Sequence, residues 1–166
     1  MKVDVEGLPD AHGLISGPPC PPWSTIGCKR AWGDRRAAVF LTVLKRIFHL
    51  AGRRDSVFTF FVLENVDGMR SRSGKQKESP ENTVLRKLRR GMPSGWFIQT
   101  LICNSHCTAQ SRKRLYFVGH RGERAITVPR LPALTVAGFI QRGPAIAATL
   151  SRINQGTVML DSVGQP

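Results

Sequence analysis

The amino-acid sequence predicts an α/β domain built on an open, parallel or mixed sheet. Strand-like and helix-like segments alternate along the first 120 residues, and this alternation is typical of that class. The segment VFTFFVL at 57–63 is almost entirely apolar, as expected for a strand covered on both faces. A chain of 166 residues is long enough for one domain with its own core.

Four segments have the composition of buried strands that end in polar or glycine-rich turns. They are GLIS (13–16), VFTFFVL (57–63), WFIQTLIC (96–103) and RLYFVG (114–119). Ligands of open α/β sheets bind beyond the carboxyl ends of the strands. We therefore expect the segment after 13–16 and the segment after 57–63 to face a common site.

Two helices are predicted between these strands. The first has Asp34 as its N-cap and closes at Gly52, with apolar residues at spacings of three and four between them. Arg46 falls on its predicted solvent side. The second begins at Ser79-Pro80, an N-cap followed by a first-turn proline, and runs to Arg90.

The chain is strongly basic, with 25 Lys and Arg against 11 Asp and Glu and a net charge of +14. Such a charge favours a nucleic-acid partner. The alternatives are a solvated basic surface or a fragment whose acidic remainder is missing. The segment 70–90 is rich in Arg and Lys, and it is either a solvated loop or a loop that contacts phosphate.

Neither a membrane span nor a secretory signal is recognisable. The four cysteines are therefore expected to be reduced thiols in an intracellular protein. A zinc site at Cys103, His106 and Cys107 would lack a matching second pair, so no metal is expected.

Three local patterns carry the chemistry. Cys20 stands in the rigid proline segment GPPCPPWSTIG (17–27), Glu64-Asn65-Val66 ends the apolar strand, and Gln110-Ser-Arg112-Lys-Arg114 opens the last strand. Taken singly, each has a plainer interpretation. Cys20 would be an inert loop thiol, Glu64 a solvated carboxylate, and the two arginines the wet face of a strand.

In this order and at this spacing the three patterns resemble the cytosine-5 DNA methyltransferases. The family's nucleophile loop has Pro-Cys, an aromatic residue and a serine, followed by a glycine and Asp-x-Arg. Here Gly27, Asp34 and Arg36 occupy those last positions, and the resemblance covers about residues 8–121. It implies an incomplete Rossmann-like methyltransferase sheet, mostly parallel, with helices on both faces.

The resemblance also implies roles for the catalytic residues. Cys20 would add as a thiolate to carbon 6 of cytosine, which makes carbon 5 nucleophilic. Arg112 and Arg114 would supply a positive field that favours the thiolate. Glu64 would bind the ring nitrogen and the exocyclic amine of the base, and Asn65 would help to fix its loop.

The binding residues follow in the same way. The DNA, a duplex with the cytosine flipped out of the stack, would be contacted by Pro19, Ser24, Arg36, Asn65 and Gln110. The methyl donor S-adenosylmethionine would contact Pro19, Val39 and, as the weakest assignment, Asp4. The protein would then act in the nucleus or nucleoid.

The sequence departs from the family at both ends. The N-terminal Phe-x-Gly-x-Gly segment that binds the cofactor and the late family motifs are not recognisable. Residues 1–121 are therefore expected to be the central part of the catalytic domain, and 122–166 a poorly defined start of a target-recognition region. A truncated, degenerate or split enzyme with a complementing chain is expected. The alternatives are a non-catalytic nucleic-acid-binding remnant and an RNA cytosine-5 methyltransferase.

Overall fold

The computed structural model describes residue 7 and residues 9–24, 31–72, 77–104 and 112–128. The chain divides into two units, one of residues 1–104 with 113–129 and one of residues 105–112 with 130–166. In the second unit only Arg112 is described, and it is exposed. The fold given below is that of the first unit.

The first unit contains a four-stranded mixed sheet with the order β1-β2-β4-β3. The strands are β1 (Gly13–Ser16), β2 (Phe60–Val66), β3 (Trp96–Asn104) and β4 (Lys113–Arg121). Strands β1 and β2 are parallel, whereas β4 runs antiparallel to both β2 and β3. The predicted α/β class is confirmed, but the sheet is mixed rather than mostly parallel.

Two helices accompany the sheet, α1 (Ala37–Gly52) and α2 (Pro80–Gly91). Helix α2 has the predicted cap, because the Ser79 hydroxyl accepts the Asn82 N–H at 3.2 Å. Helix α1 begins at Ala37, later than predicted: the Asp34 carboxylate does accept the N–H of Arg36 at 2.9 Å, but the next backbone bonds, from Ala37 N–H to the Asp34 carbonyl onward, span three residues instead of four. No helix within the described ranges is long and apolar enough to cross a bilayer.

Both described helices pack on the same face of the sheet. Phe61, Leu63 and Phe117 point to this face and are fully buried. Phe40 of α1 meets Phe117 edge to face at 6.1 Å, and Val84 and Leu88 of α2 join the same cluster. The resemblance predicts helices on both faces of the sheet. Among the described residues, no helix covers the opposite face, where Ile15 is 76% exposed and Phe60 is 39% exposed.

Two segments depart from the predicted pattern. Strand β2 begins at Phe60 rather than at residue 57 and ends at Val66 rather than at residue 63. Glu64 and Asn65 consequently lie inside the strand, opposite Tyr116 and Leu115. The prediction for Arg46 is wrong: it is buried, and its guanidinium donates to the Pro9 carbonyl.

Phe40 provides a test of this core. Phe40→Ala is expected to lower the free energy of unfolding by about 3–5 kcal/mol, because it removes a fully buried ring that contacts three other aromatic rings. Urea titration followed by circular dichroism measures the change. The control is Val39→Ala, since Val39 is the neighbouring residue and is 47% exposed. This change should alter the free energy of unfolding by less than about 0.5 kcal/mol. Equal losses in the two variants would contradict this packing.

Candidate active site

The loop after β1 presents the Cys20 thiol at the carboxyl end of the parallel strand pair. Strand β1 ends at Ser16, which pairs with Leu63 of β2. Four residues later, Cys20 is exposed and carries a free thiol. Its carbonyl accepts the N–H groups of Trp23 and Ser24, each at 3.0 Å, so the chain turns immediately after the thiol.

Trp23 anchors this turn in the core. Its side chain is 4% exposed, and its ring lies edge to face against Trp32 at 5.5 Å and against Phe40 of α1 at 5.4 Å. Aromatic pairs of this geometry add roughly 0.5–1.5 kcal/mol to the burial of their area. The segment that follows Cys20 is therefore held by packing, although the thiol itself is exposed.

Asn65 ties the segment before Cys20 to strand β2. The Asn65 side chain is fully buried, and its Nδ2 donates to the Pro18 carbonyl at 3.1 Å. Its Oδ1 accepts the N–H of Val66 at 2.9 Å. Both ends of the amide are thus engaged, as a buried polar group requires.

Glu64 and Arg114 form an ion pair at the same edge. In the β2–β4 ladder Val66 lies opposite Arg114 and Glu64 opposite Tyr116, so Glu64 and Arg114 are diagonal neighbours on one face. Arg114 Nε lies 2.7 Å from Glu64 Oε1, and the two side chains are 21% and 36% exposed. Arg114 Nη1 also donates to the Lys113 carbonyl at 2.8 Å, which fixes the guanidinium on two sides.

Gly17 lets the loop pass close to this carboxylate. A Cβ placed on Gly17 would lie 3.3 Å from Glu64 Oε2, which is tighter than ordinary van der Waals contact. The backbone at the start of the Cys20 loop and the Glu64 carboxylate therefore meet at one edge of the sheet.

Several other predicted site residues lie apart from this cluster or outside the description. Arg36 is exposed in front of α1 and pairs with Asp34 at 2.7 Å, and Val39 is an exposed residue of α1. Pro19 and Ser24 belong to the Cys20 loop and are half-buried. Asp4 and Gln110 lie outside the described residues, as do His106 and Cys107 of the zinc alternative.

Sequence reasoning did not identify the supporting roles of Gly17 and Trp23. Trp23 carries a usable signal, because a large apolar residue inside a polar proline loop is commonly an anchor to the core. Gly17 carries none, since its close approach depends on where Glu64 lies.

The thiol loop and the arginine-bound carboxylate thus lie beyond the carboxyl ends of β1 and β2, which is where open α/β sheets bind their ligands. The model of the family "C-5 cytosine-specific DNA methylase" matches residues 1–156. The chain therefore belongs to the C-5 cytosine-specific DNA methylases, and the family inferred from the three motifs is confirmed.

Individual relatives are similar to this chain over about three quarters of its length. Type II methyltransferase M.FnuDI of Fusobacterium nucleatum is 31% identical over 74% of this chain and 33% of its own. Type II methyltransferase M.NgoPII of Neisseria gonorrhoeae is 29% identical over 75% and 34%, respectively. The structure of the Entamoeba histolytica methyltransferase EhMeth aligns with a TM-score of 0.47 at 16% identity, over 74% of this chain and 36% of its own. The chain spans about a third of the length of these curated relatives.

The Asn65 link can be tested without any substrate. Asn65→Ala leaves the buried Pro18 carbonyl without its donor, so we expect a loss of about 1–3 kcal/mol in the free energy of unfolding. The amides of Trp23 and Ser24 should exchange with deuterium at least about tenfold faster, because local opening of the loop becomes easier.

The matched control is Asn82→Ala, which removes an exposed amide on α2. It should change the free energy of unfolding by less than about 0.5 kcal/mol and leave the exchange of the Trp23 and Ser24 amides unchanged. Unchanged exchange of Trp23 and Ser24 in Asn65→Ala would show that Asn65 does not hold the loop.

Proposed function

We propose that this chain carries the nucleophile and base-binding part of a DNA (cytosine-5)-methyltransferase site, with Cys20 as the nucleophile. The observation that carries the proposal is the joining of the Cys20 loop to the Glu64 strand by the buried Asn65–Pro18 hydrogen bond. The link sets an exposed thiol and a carboxylate at one edge, and cytosine methylation needs both groups on one base. Membership of the family supports the same reaction.

In this mechanism the Cys20 thiolate adds to carbon 6 of a cytosine that has left the base stack. A carbon–sulfur bond forms, and the electron pair of the C5–C6 double bond moves toward carbon 5 and the ring nitrogen. Carbon 5 then takes up an electrophile. Loss of the original carbon 5 proton and expulsion of the thiolate restore the double bond and the aromatic ring.

Glu64 would hold the base during this step. Its carboxyl group would hydrogen-bond to the ring nitrogen and to the exocyclic amine, so that the nitrogen is protonated as negative charge enters the ring. Arg114 would act as a positioning residue, because its Nε lies 2.7 Å from Glu64 Oε1 and fixes the direction of the carboxylate. Arg112 belongs to the second unit, and its part in favouring the Cys20 thiolate stays a prediction from the motif.

The methyl donor would be S-adenosylmethionine, which supplies the methyl electrophile when it is bound. Pro19 of the Cys20 loop and the exposed Val39 of α1 would contribute to its binding site. The rest of that site would be supplied by other residues of this chain or by a complementing chain.

The substrate would be double-stranded DNA. The net charge of +14 favours a polyanion, and the curated relatives are type II methyltransferases. An RNA substrate and a non-catalytic nucleic-acid-binding remnant are the two alternatives that the assay below distinguishes.

Exchange of the cytosine carbon 5 proton tests Cys20 without the methyl donor. Addition of Cys20, uptake of a solvent proton at carbon 5 and reversal release the original proton. A duplex tritiated at cytosine carbon 5 should therefore lose tritium to water in the presence of the protein. Cys20→Ser should abolish the release, whereas Cys103→Ser, at the other described free thiol, should retain it.

Duplex binding is measured on the same samples by fluorescence anisotropy. Binding without tritium release would favour the remnant, and release from a tritiated RNA stem but not from the duplex would favour RNA methylation. Retained release in Cys20→Ser would refute the assignment of the nucleophile.

Glu64→Gln is expected to slow tritium release by at least about a hundredfold, since the amide cannot deliver a proton to the ring nitrogen. The affinity for the duplex should change by less than about threefold, because the loss falls on the chemical step. Glu123→Gln, which removes an exposed carboxylate outside the site, is the matched control. Equal release by Glu64→Gln and Glu123→Gln would contradict the role of Glu64.

A further inference from the structure

A groove runs between helices α1 and α2, with an accessible volume of about 480 Å³. Its floor is apolar and includes Leu41, Leu44 and Phe48 of α1. Lysine and arginine side chains from both helices form its rim. The groove thus combines an apolar surface with positive charge.

The two helices build this groove through their spacing. Leu41, Lys45 and Phe48 follow one another at intervals of four and three along α1, so they share one side of that helix. Gly91 ends α2 against the Phe48 ring, where a Cβ would lie 2.7 Å from Phe48 Cε1. A side chain at this position would require the Phe48 ring to shift, and the close approach forms one end of the groove.

Three of the four cations on the rim have no described carboxylate within ion-pair distance. Arg86 pairs with Glu78, and this hydrogen bond, together with weaker Coulombic attraction that includes Arg90, holds the pKa of the Glu78 carboxyl below its ordinary value. Among the described residues, no carboxylate lies within ion-pair distance of Lys45, Lys87 or Arg90, all three of which are exposed.

The groove is separate from the candidate active site. It uses the C-terminal half of α2, after which the chain enters β3 at Trp96. Phe97 of β3 pairs with His120, which pairs with Phe60 at the start of β2. Glu64 and Arg114 lie at the other end of these strands, so the α2 side of the groove and the Cys20 loop lie toward opposite ends of the strands.

We propose that this groove is a docking site for an acidic amphipathic helix of a partner protein. An amphipathic helix places apolar side chains in such a groove at intervals of three and four residues. Acidic residues along its flanks would meet Lys45, Lys87 and Arg90, which supplies both orientation and faster association.

The composition of the groove distinguishes this partner from the two others that a basic surface suggests. A nucleic-acid backbone needs the cations but gains nothing from an apolar floor. A second copy of the chain would bring α1 and α2, both of which carry basic side chains, toward an already basic rim. A partner with carboxylates beside apolar residues can contact both the apolar floor and the basic rim of the groove.

The test uses a fluorescein-labelled peptide of about 18 residues, roughly five helical turns, with Leu on one face and Glu on the other. A second peptide has the same composition in scrambled order. Fluorescence anisotropy at physiological salt should show binding of the amphipathic peptide and at least about tenfold weaker binding of the scrambled one.

Charge reversal and floor variants locate the binding. Lys45→Glu and Arg90→Glu should each lower the affinity for the amphipathic peptide by about tenfold, and Leu41→Ala should lower this affinity severalfold. Arg89→Glu is the matched control, because it makes the same charge change on α2 but lines the groove beside β3 instead. Thermal unfolding of each variant checks that the fold is retained, and competition with an unlabelled duplex of about 24 base pairs compares the two ligands.

Equal binding of the two peptides, or equal loss in Arg89→Glu and Arg90→Glu, would overturn the proposal, because binding would then follow net charge alone. Displacement of the peptide by the duplex, with Lys45→Glu and Arg90→Glu weakening duplex binding equally, would also overturn it and identify a nucleic-acid surface. These results do not involve Cys20, so they stand apart from the outcome of the tritium assay.

Discussion

The buried hydrogen bond from Asn65 Nδ2 to the Pro18 carbonyl is the contact on which the candidate site depends. Proline residues have no N–H, so the segment around Cys20 is poor in backbone donors of its own and cannot join the sheet by a ladder. A side-chain amide from the neighbouring strand supplies the missing donor. Because Asn65 alternates with Glu64 along β2, the residue that fixes the loop points into the core while the carboxylate points to the other face.

Much of the fold could be predicted because its signals are local. Helix α2 follows from Ser79 and Pro80, whose cap geometry depends only on the next few residues. Strand direction could not be predicted, because the antiparallel pairing of β4 with β2 and β3 depends on distant segments. The helical spacing predicts Arg46 on the solvent side of α1, yet its long aliphatic stem lets it lie buried while the guanidinium reaches a backbone carbonyl.

The candidate site was predictable as a set of residues but not as a geometry. The order of the three motifs indicated Cys20, Glu64 and Arg114, and each stands at or near a strand end as expected. The ion pair between Glu64 and Arg114 needs the register that sets Val66 opposite Arg114, and a shift of one residue would turn the guanidinium to the other face. The role of Gly17 could not be predicted for the same reason, since its close approach is to Glu64 on a distant strand.

Cys20 is held from both sides while its thiol stays exposed, and this combination suits a nucleophile better than either property alone. Before it, the Pro18 carbonyl is bound by Asn65; after it, its own carbonyl is bound by the amides of Trp23 and Ser24, and Trp23 is packed against Phe40. In the proposed reaction, a thiol on a free loop would have to lose conformational freedom at each encounter with a base. Folding has already removed that freedom from the Cys20 loop, so under this proposal binding energy from the substrate would be directed to extruding the base.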